Sequence, residues 1–229
     1  MKKHLYDSIA AMWLNGTGTV WVISDPHFGD PESAAMRGDY PGDDALVKMI
    51  NSKVGKKDTL VILGDVGDVG FVKKLRGYKV LIMGNHDKGA SNYRRDYGQH
   101  HMEDVVEVCT VNLGPGPSNI RKYRTHTPEL ACDREDNHLF DEVYEGPLMV
   151  NDRLILSHEP IYPLPPYMYN IHGHVHARKE DDAQHKNVCA EHVGYTPVNL
   201  MSMLKNGLLS AVDSIHENAI ERATRRKHQ

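Results

Sequence analysis

The chain has 229 residues, of which 40% are apolar and 25% charged, and a formal net charge of −4 at pH 7. That length suffices for one domain, spanning 1–229, with a sizeable core. The mild acidity argues against general binding to nucleic acid or an anionic membrane, and no apolar run approaches the ~18 residues of a spanning helix.

Residues 4–14 have the spacing of a short amphipathic helix, with Leu5, Ile9, Met12 and Trp13 on one side and a stop at residues 15–18. They carry no convincing signal-peptide core. The first strand is expected at 19–24. The Gly-, Pro- and Asp-rich stretch 30–42 reads as a loop. Asp43 or Asp44 then caps a helix whose inner face is Leu46, Met49, Ile50 and Val54. A second strand is expected at 59–63, a short helix at 69–76, and a third strand at 78–83. This β-α-β-α-β order argues for a layered α/β fold with partly parallel strands.

Further along, 93–101 reads as helical and 105–111 as a strand. The polar stretch 112–138 reads as an inserted loop, of the kind that serves as a lid or binding loop or else lacks order. Residues 140–144, 148–150 and 153–156 look like a meander. The Pro-rich stretch 160–166 excludes regular structure. Strands follow at 169–171 and 186–191, and a C-terminal helical segment is expected over 199–229. Its basic end reads as a solvated helix terminus. The three cysteines, Cys109, Cys132 and Cys189, are odd in number and far apart. That argues against a disulfide framework, favours a structural role for each over catalysis, and favours a reducing, cytoplasmic setting.

The informative feature is what terminates the apolar runs. Val20 to Ile23 runs into Asp25 and His27. Leu60 to Leu63 runs into Gly64 and Asp65. Val80 to Met83 runs into Gly84, Asn85, His86 and Asp87. Leu154 to Leu156 runs into His158, and Tyr169 to Ile171 into His172, Gly173, His174 and His176. On strand alternation, Asp25 and His27 project to one side. Five strand ends bearing N and O ligand types read as one metal site assembled from dispersed sequence. The set Asp25, His27, Asp65, Asn85, His158, His174 and His176 offers two carboxylates, an amide oxygen and four imidazoles. With no cysteine, it suits Mn, Fe, Zn or Ni rather than Ca or Mg, and fits a hydrolytic centre better than a closed structural zinc.

Two dications less two carboxylates and one hydroxide leave about one positive charge, matched to a phosphate ester. Such a pair acidifies bound water and clamps an in-line displacement. His86, beside the ligands, has the chemistry to protonate a leaving alkoxide, and Asp87 to orient His86 or raise its pKa. His172 reads as a residue at the rim or behind the ligands before a ligand itself. Arg37, Arg121, Lys122 and Arg124 read as solvated charges before phosphate contacts. Tyr162 and Tyr167 are placed either to stack a nucleobase or to pack their Pro-rich loop.

These blocks, in this order over residues 20–176, resemble the calcineurin-like metallophosphoesterase superfamily, in particular its small bacterial and phage phosphoesterases. The resemblance implies a four-layer α-β-β-α sandwich of two mixed sheets flanked by helices, with a dinuclear centre at the strand ends. It implies that one metal takes Asp25, His27, Asp65 and His176, and that the other takes Asp65, Asn85, His158 and His174. Asp65 would bridge, and His86 would be the catalytic rim histidine. Mn²⁺ is the first expectation, with Fe, Ni or Zn as alternatives. The second block lacks the arginine that protein Ser/Thr phosphatases of the superfamily carry after Gly-Asp-x-x-Asp. A small phosphomonoester, phosphodiester or nucleotide is therefore the expected substrate, ahead of a nuclease or a silent metal-binding scaffold for protein partners.

Overall fold

The computed structural model describes residues 19–87, 138–150, 153–178 and 181–205, together with Leu5, Ser8 and four short strands between 94 and 132. The first sheet contains β1 (Val20–Ile23), β2 (Thr59–Ile62), β3 (Tyr78–Ile82), β9 (Glu142–Tyr144) and β14 (Val198–Asn199), in the order β14-β1-β2-β3-β9. All its pairings are parallel except β14 with β1. The second contains β10 (Leu148–Met149), β11 (Leu154–Leu156), β12 (Tyr169–His172) and β13 (His185–Asn187) in sequence order, with only the β10–β11 pair antiparallel.

Strand alternation explains why the sheets stack. Side chains at successive strand positions leave opposite faces. Ile23, Leu60, Ile62 and Leu81 pack on one face with Leu46, Val47 and Ile50 of a helix. Val20, Val22, Val61, Val80 and Ile82 leave the other face and meet Leu154, Leu156, Tyr169 and Ile171 of the second sheet. Strands apolar on both faces need two covering layers. The result is the expected architecture, two mixed sheets with flanking helices.

Several expected elements differ. The stretch read as a loop after β1 contains helix α1 (Pro31–Arg37), whose start is capped by Asp30, its carboxylate accepting from the N–H groups of Glu32 and Ser33. Proline pre-set at the first helical position, a capping aspartate before it and glycine after it make a short helix from residues that look like a turn. Helix α2 (Asp43–Lys53) starts after Gly42 with no side-chain cap. Asp43 instead accepts hydrogen bonds from the Gly29 N–H and the Tyr40 hydroxyl. The helix expected at 69–76 shrinks to one 3₁₀ turn, Val72–Lys74. The meander is not one, since β9 joins the first sheet and β10 and β11 the second.

Within the stretch read as helical lies a strand, β4 (Arg94–Asp96), and β5 (Val108–Val111) falls in the expected strand. Strands β6 (Ser118–Arg121), β7 (Leu130–Cys132) and β8 (His138–Phe140) fall in or at the edge of 112–138. They form the small sheets β4-β7-β8 and β5-β6. Helix α3 (Leu200–Lys205) starts the expected C-terminal helix, and the rest of that expectation lies outside the described residues. So does most of the N-terminal helix, although Leu5 is buried and its N–H donates to Glu142. No helix among the described residues is long and apolar enough to cross a membrane.

Candidate metal centre

The loops leaving β1, β2, β3, β11 and β12 meet at one end of the two sheets, where ligands of layered α/β folds characteristically bind. The chain past β1 joins both sheets here. Ser24 pairs with Cys189, its N–H donating to Val188 and its carbonyl accepting from Ala190. All seven expected ligands converge. Asp25, His27 and His176 form one group, and Asp65, His158 and His174 a second; ligand atoms within each lie within 4.8 Å of one another. Asn85 joins the second group, its Oδ1 2.9 Å from His158 Nε2.

The backbone differs from the strand alternation expected of Asp25 and His27. Strand β1 ends at Ile23, and Asp25, His27, Asp65, His174 and His176 all have left-handed φ angles, between 44° and 67°. Each non-glycine residue there costs roughly 1–2 kcal/mol, and strain of this kind gathers at functional sites. The left-handed turn swings each side chain past the strand end.

Asp25, Asp65, His27, His158 and His176 each have one end held and the other turned inward. Asp25 Oδ2 lies 2.5 Å from the Ser24 hydroxyl, 2.9 Å from the His174 N–H nitrogen and 3.3 Å from the Cys189 thiol. Its Oδ1 is buried without a hydrogen bond and faces His27 Nε2 at 3.8 Å and His176 Nε2 at 3.9 Å. Burial opposes the ionised form of Asp25, but His27, His158, Ser24 and the His174 N–H together hold its carboxyl well below the ordinary carboxylate range. Asp65 Oδ1 accepts the His86 N–H at 2.9 Å. Its Oδ2 sits between the groups, 3.6 Å from His27 Nε2 and 3.4 Å from His158 Nε2.

Three of the four histidines follow the same rule. His158 Nδ1 lies 2.8 Å from the Leu63 carbonyl, which can only accept, so Nδ1 carries the proton and Nε2 the lone pair. That lone pair faces Asn85 Oδ1 and, at 3.1 Å, His174 Nδ1. The His158 lone pair and the Asn85 carbonyl oxygen are both acceptors 2.9 Å apart, an arrangement that a cation between them would satisfy. His176 Nδ1 lies 2.7 Å from Glu191 Oε1, and His27 Nδ1 3.3 Å from Asp30 Oδ2. A carboxylate behind an imidazole fixes its ring and raises its basicity toward a metal. Orphaned Asp25 Oδ1 and His27 Nε2, both buried, therefore fit the divalent cations implied by the donor set.

Two glycines of the motifs are there for close approach. A Cβ on Gly173 would lie 1.9 Å from Ser24 Oγ and 2.3 Å from Asp25 Oδ2, and one on Gly84 2.2 Å from Asp65 Oδ1. Gly173→Ala is expected to cost about 1–3 kcal/mol through forced displacement of Asp25. Thermal melts of the metal-free variant measure it, and an unchanged Tm would contradict the tight contact.

His86 is 66% exposed, at the rim, with Nε2 4.0 Å from Asp65 Oδ2 and its ring edge-on to His27 at 5.5 Å. The sequence places Asp87 to act on His86. Its recorded hydrogen bonds go instead to the backbone N–H groups of Gly84, Asp65 and Val66, at 2.8, 2.8 and 3.1 Å. Thus it ties the loop after β3 to the loop after β2. Burial raises its pKa despite these donors. His172 joins neither group: it is buried, with Nδ1 3.0 Å from the Gly173 carbonyl and its ring edge-on to His185. Tyr162 packs its ring against His185 at 4.2 Å.

The supporting residues are the part the sequence reading missed. Arg37, read as a solvated charge, has a side chain 2% exposed and donates to the carbonyls of Asp25 and Pro26. Its Nε also lies 3.5 Å from Glu191 Oε2. Glu191 escaped notice, though it ends the apolar run Val188 to Ala190 as the ligands end theirs. Cys189 fits its structural role, since burial, foremost, and the Asp25 carboxylate push its thiol pKa up, disfavouring the thiolate.

A family model described as calcineurin-like phosphoesterase matches residues 18–188. The Gene 66 protein of Mycobacterium phage D29 is 36% identical over 179 residues, covering 69% of this chain and 79% of that protein. The Gene 66 protein of Mycobacterium phage L5 is 38% identical over 80 residues, covering 29% of this chain and 39% of that protein. The crystal structure of protein AQ665 from Aquifex aeolicus, described as of unknown function, aligns with a TM-score of 0.53 at 20% identity. It covers 82% of this chain and 99% of its own, and it shows the fold alone.

Proposed function

The chain belongs to the calcineurin-like phosphoesterase family, a family of metal-dependent phosphoester hydrolases, and from that premise we propose that it cleaves small phosphate esters at a dinuclear centre. In this reading one cation is held by Asp25, His27, His176 and Asp65, and the other by Asp65, Asn85, His158 and His174. Mn²⁺ is the ion first proposed from the N/O donor set. The single observation that carries the reading is Asp65 Oδ2, poised between an imidazole of each group at 3.6 and 3.4 Å.

A pair of divalent cations brings acidified water and neutralised phosphate oxygens to such a site. The chain supplies the rest. Ser24, Cys189 and the His174 N–H hold one oxygen of Asp25 so that the other faces inward. Leu63, Glu191 and Asp30 set which nitrogen of each supported histidine is left for coordination. His86 stands at the solvent edge, where it delivers a proton to the departing oxygen. Asp87 serves by position, locking the Asp65 and Gly84 loops together.

The reading is tested with p-nitrophenyl phosphate and bis-p-nitrophenyl phosphate, each with added Mn²⁺, Fe²⁺, Ni²⁺ or Zn²⁺. Turnover of at least one is expected; none with any metal would favour a silent scaffold. A second expectation concerns Glu191. Glu191→Gln should weaken cation binding by about 10–100-fold at one of two titrated positions and spare the other, as read by calorimetry. Hydrogen bonding to Glu191 raises the pKa of His176 against the opposing effect of burial. Binding at this position therefore expels a proton and should tighten as pH rises through and above the ordinary imidazole range. Equal weakening at both positions, or none, would contradict the assignment of Glu191 to His176.

A further inference from the structure

A cavity of about 760 Å³ opens beside the metal centre, lined by Met36, Arg37, Asp39, His174, His176 and Arg178 among others. It lies in the size range of small-molecule sites, well beyond what the phosphate itself requires. Most of its charges are already engaged. Arg37 is held by two backbone carbonyls and Glu191, Glu191 by His176, and Asp39 accepts from the Tyr195 hydroxyl at 2.7 Å. Arg178 is exposed, and the described residues give its guanidinium no hydrogen bond or ion pair. Met36, 71% exposed, offers an apolar surface on the same cavity.

The position of His86 gives this cavity a meaning. His86 is not among its lining residues. The ring of His27 meets that of His86 at 5.5 Å, and that of His176, which does line the cavity, at 5.3 Å. A phosphorus atom seated between the two ligand groups would thus send its leaving substituent toward His86 and have the cavity left for another. A phosphomonoester has no second organic substituent to put there; a phosphodiester does.

Resting on the phosphoesterase reading, we infer that this cavity is the subsite for the retained arm of a small phosphodiester, with Arg178 binding an anionic group on that arm and Met36 covering its apolar part. Water adds to phosphorus, the bond to the leaving oxygen breaks, that oxygen takes the proton, and the retained arm departs as a phosphomonoester. Arg178 is the specificity-determining residue. Its fork of donors suits a second phosphate or a carboxylate.

The test uses three reporters with the same leaving group: p-nitrophenyl phosphate, the p-nitrophenyl phosphodiester of thymidine, and that diester with an additional phosphate on the sugar. In the metal-loaded wild type, the additional phosphate should raise kcat/KM by about 10-fold or more, mainly through KM. Arg178→Ala should erase that gain while metal content and turnover of p-nitrophenyl phosphate hold. Arg178→Lys should restore part of it. No gain in the wild type, or a gain that survives Arg178→Ala, overturns the subsite and leaves the phosphoesterase reading standing. No turnover of any reporter with any metal overturns both.

Discussion

Asp65→Asn is expected to empty both cation positions and to lower kcat by at least about 10³-fold. The substitution keeps the side chain's size but removes its charge, and it replaces one of its two acceptor oxygens with an amide group. In the wild type, Asp65 Oδ1 is occupied by the His86 N–H, and Oδ2 faces both ligand groups. Asparagine can satisfy that N–H only by turning its NH₂ toward the cations, where it repels both. Loss of metal-derived transition-state stabilisation, worth several kcal/mol, corresponds to the stated factor. The loop itself should persist, because Asp87 holds the backbone of residues 65 and 66. Elemental analysis of dialysed protein, with a melt as folding control, measures the effect. Two ions retained per chain would remove Asp65 from the bridging position.

His86→Ala carries the second large effect, a fall in kcat on an alkyl phosphate ester of about 10²- to 10⁴-fold with metal content unchanged. The two parts have separate physical grounds. The imidazole is largely exposed and belongs to neither ligand group, so its removal uncovers no buried acceptor. It also lies beside the inward oxygen of Asp65, within reach of a leaving group. A proton donor matters most when the leaving oxygen is basic. The loss should therefore be large for an alkyl ester and small for a p-nitrophenyl ester, whose leaving group departs as a stable anion. Equal losses for both esters would exclude His86 as the acid, and a drop in bound metal would make it a ligand.

The strand ends were legible because an apolar run stopped by Asp, His or Asn serves no packing purpose. That signal found the seven converging residues, while the β-α-β-α-β order gave a layered α/β fold and the two-sheet sandwich came from the family resemblance. What it could not give was backbone conformation. Asp25 and His27 reach the site through left-handed turns, not by strand alternation, and such turns follow from neighbours such as Cys189 and Gly173 that are distant in sequence. Helix α1 escaped because Asp, Pro and Gly are turn formers whose order, cap then proline then glycine, decides between turn and helix. The Arg37–Glu191–His176 chain joins residues over 130 positions apart; only the tertiary fold puts a guanidinium under the carbonyls of Asp25 and Pro26. Asp87 shows the opposite failure. Its neighbour His86 suggested a partner, yet three buried N–H groups claimed its carboxylate.

The central claim, that two ligand groups share Asp65 around a pair of cations, is tested most directly by anomalous diffraction from crystals of Mn²⁺-loaded protein. Two peaks about 3.5–4 Å apart are expected, one beside Asp25, His27 and His176 and the other beside Asn85, His158 and His174, with Asp65 Oδ2 between them. A single peak, or a pair that Asp65 does not bridge, would contradict the account.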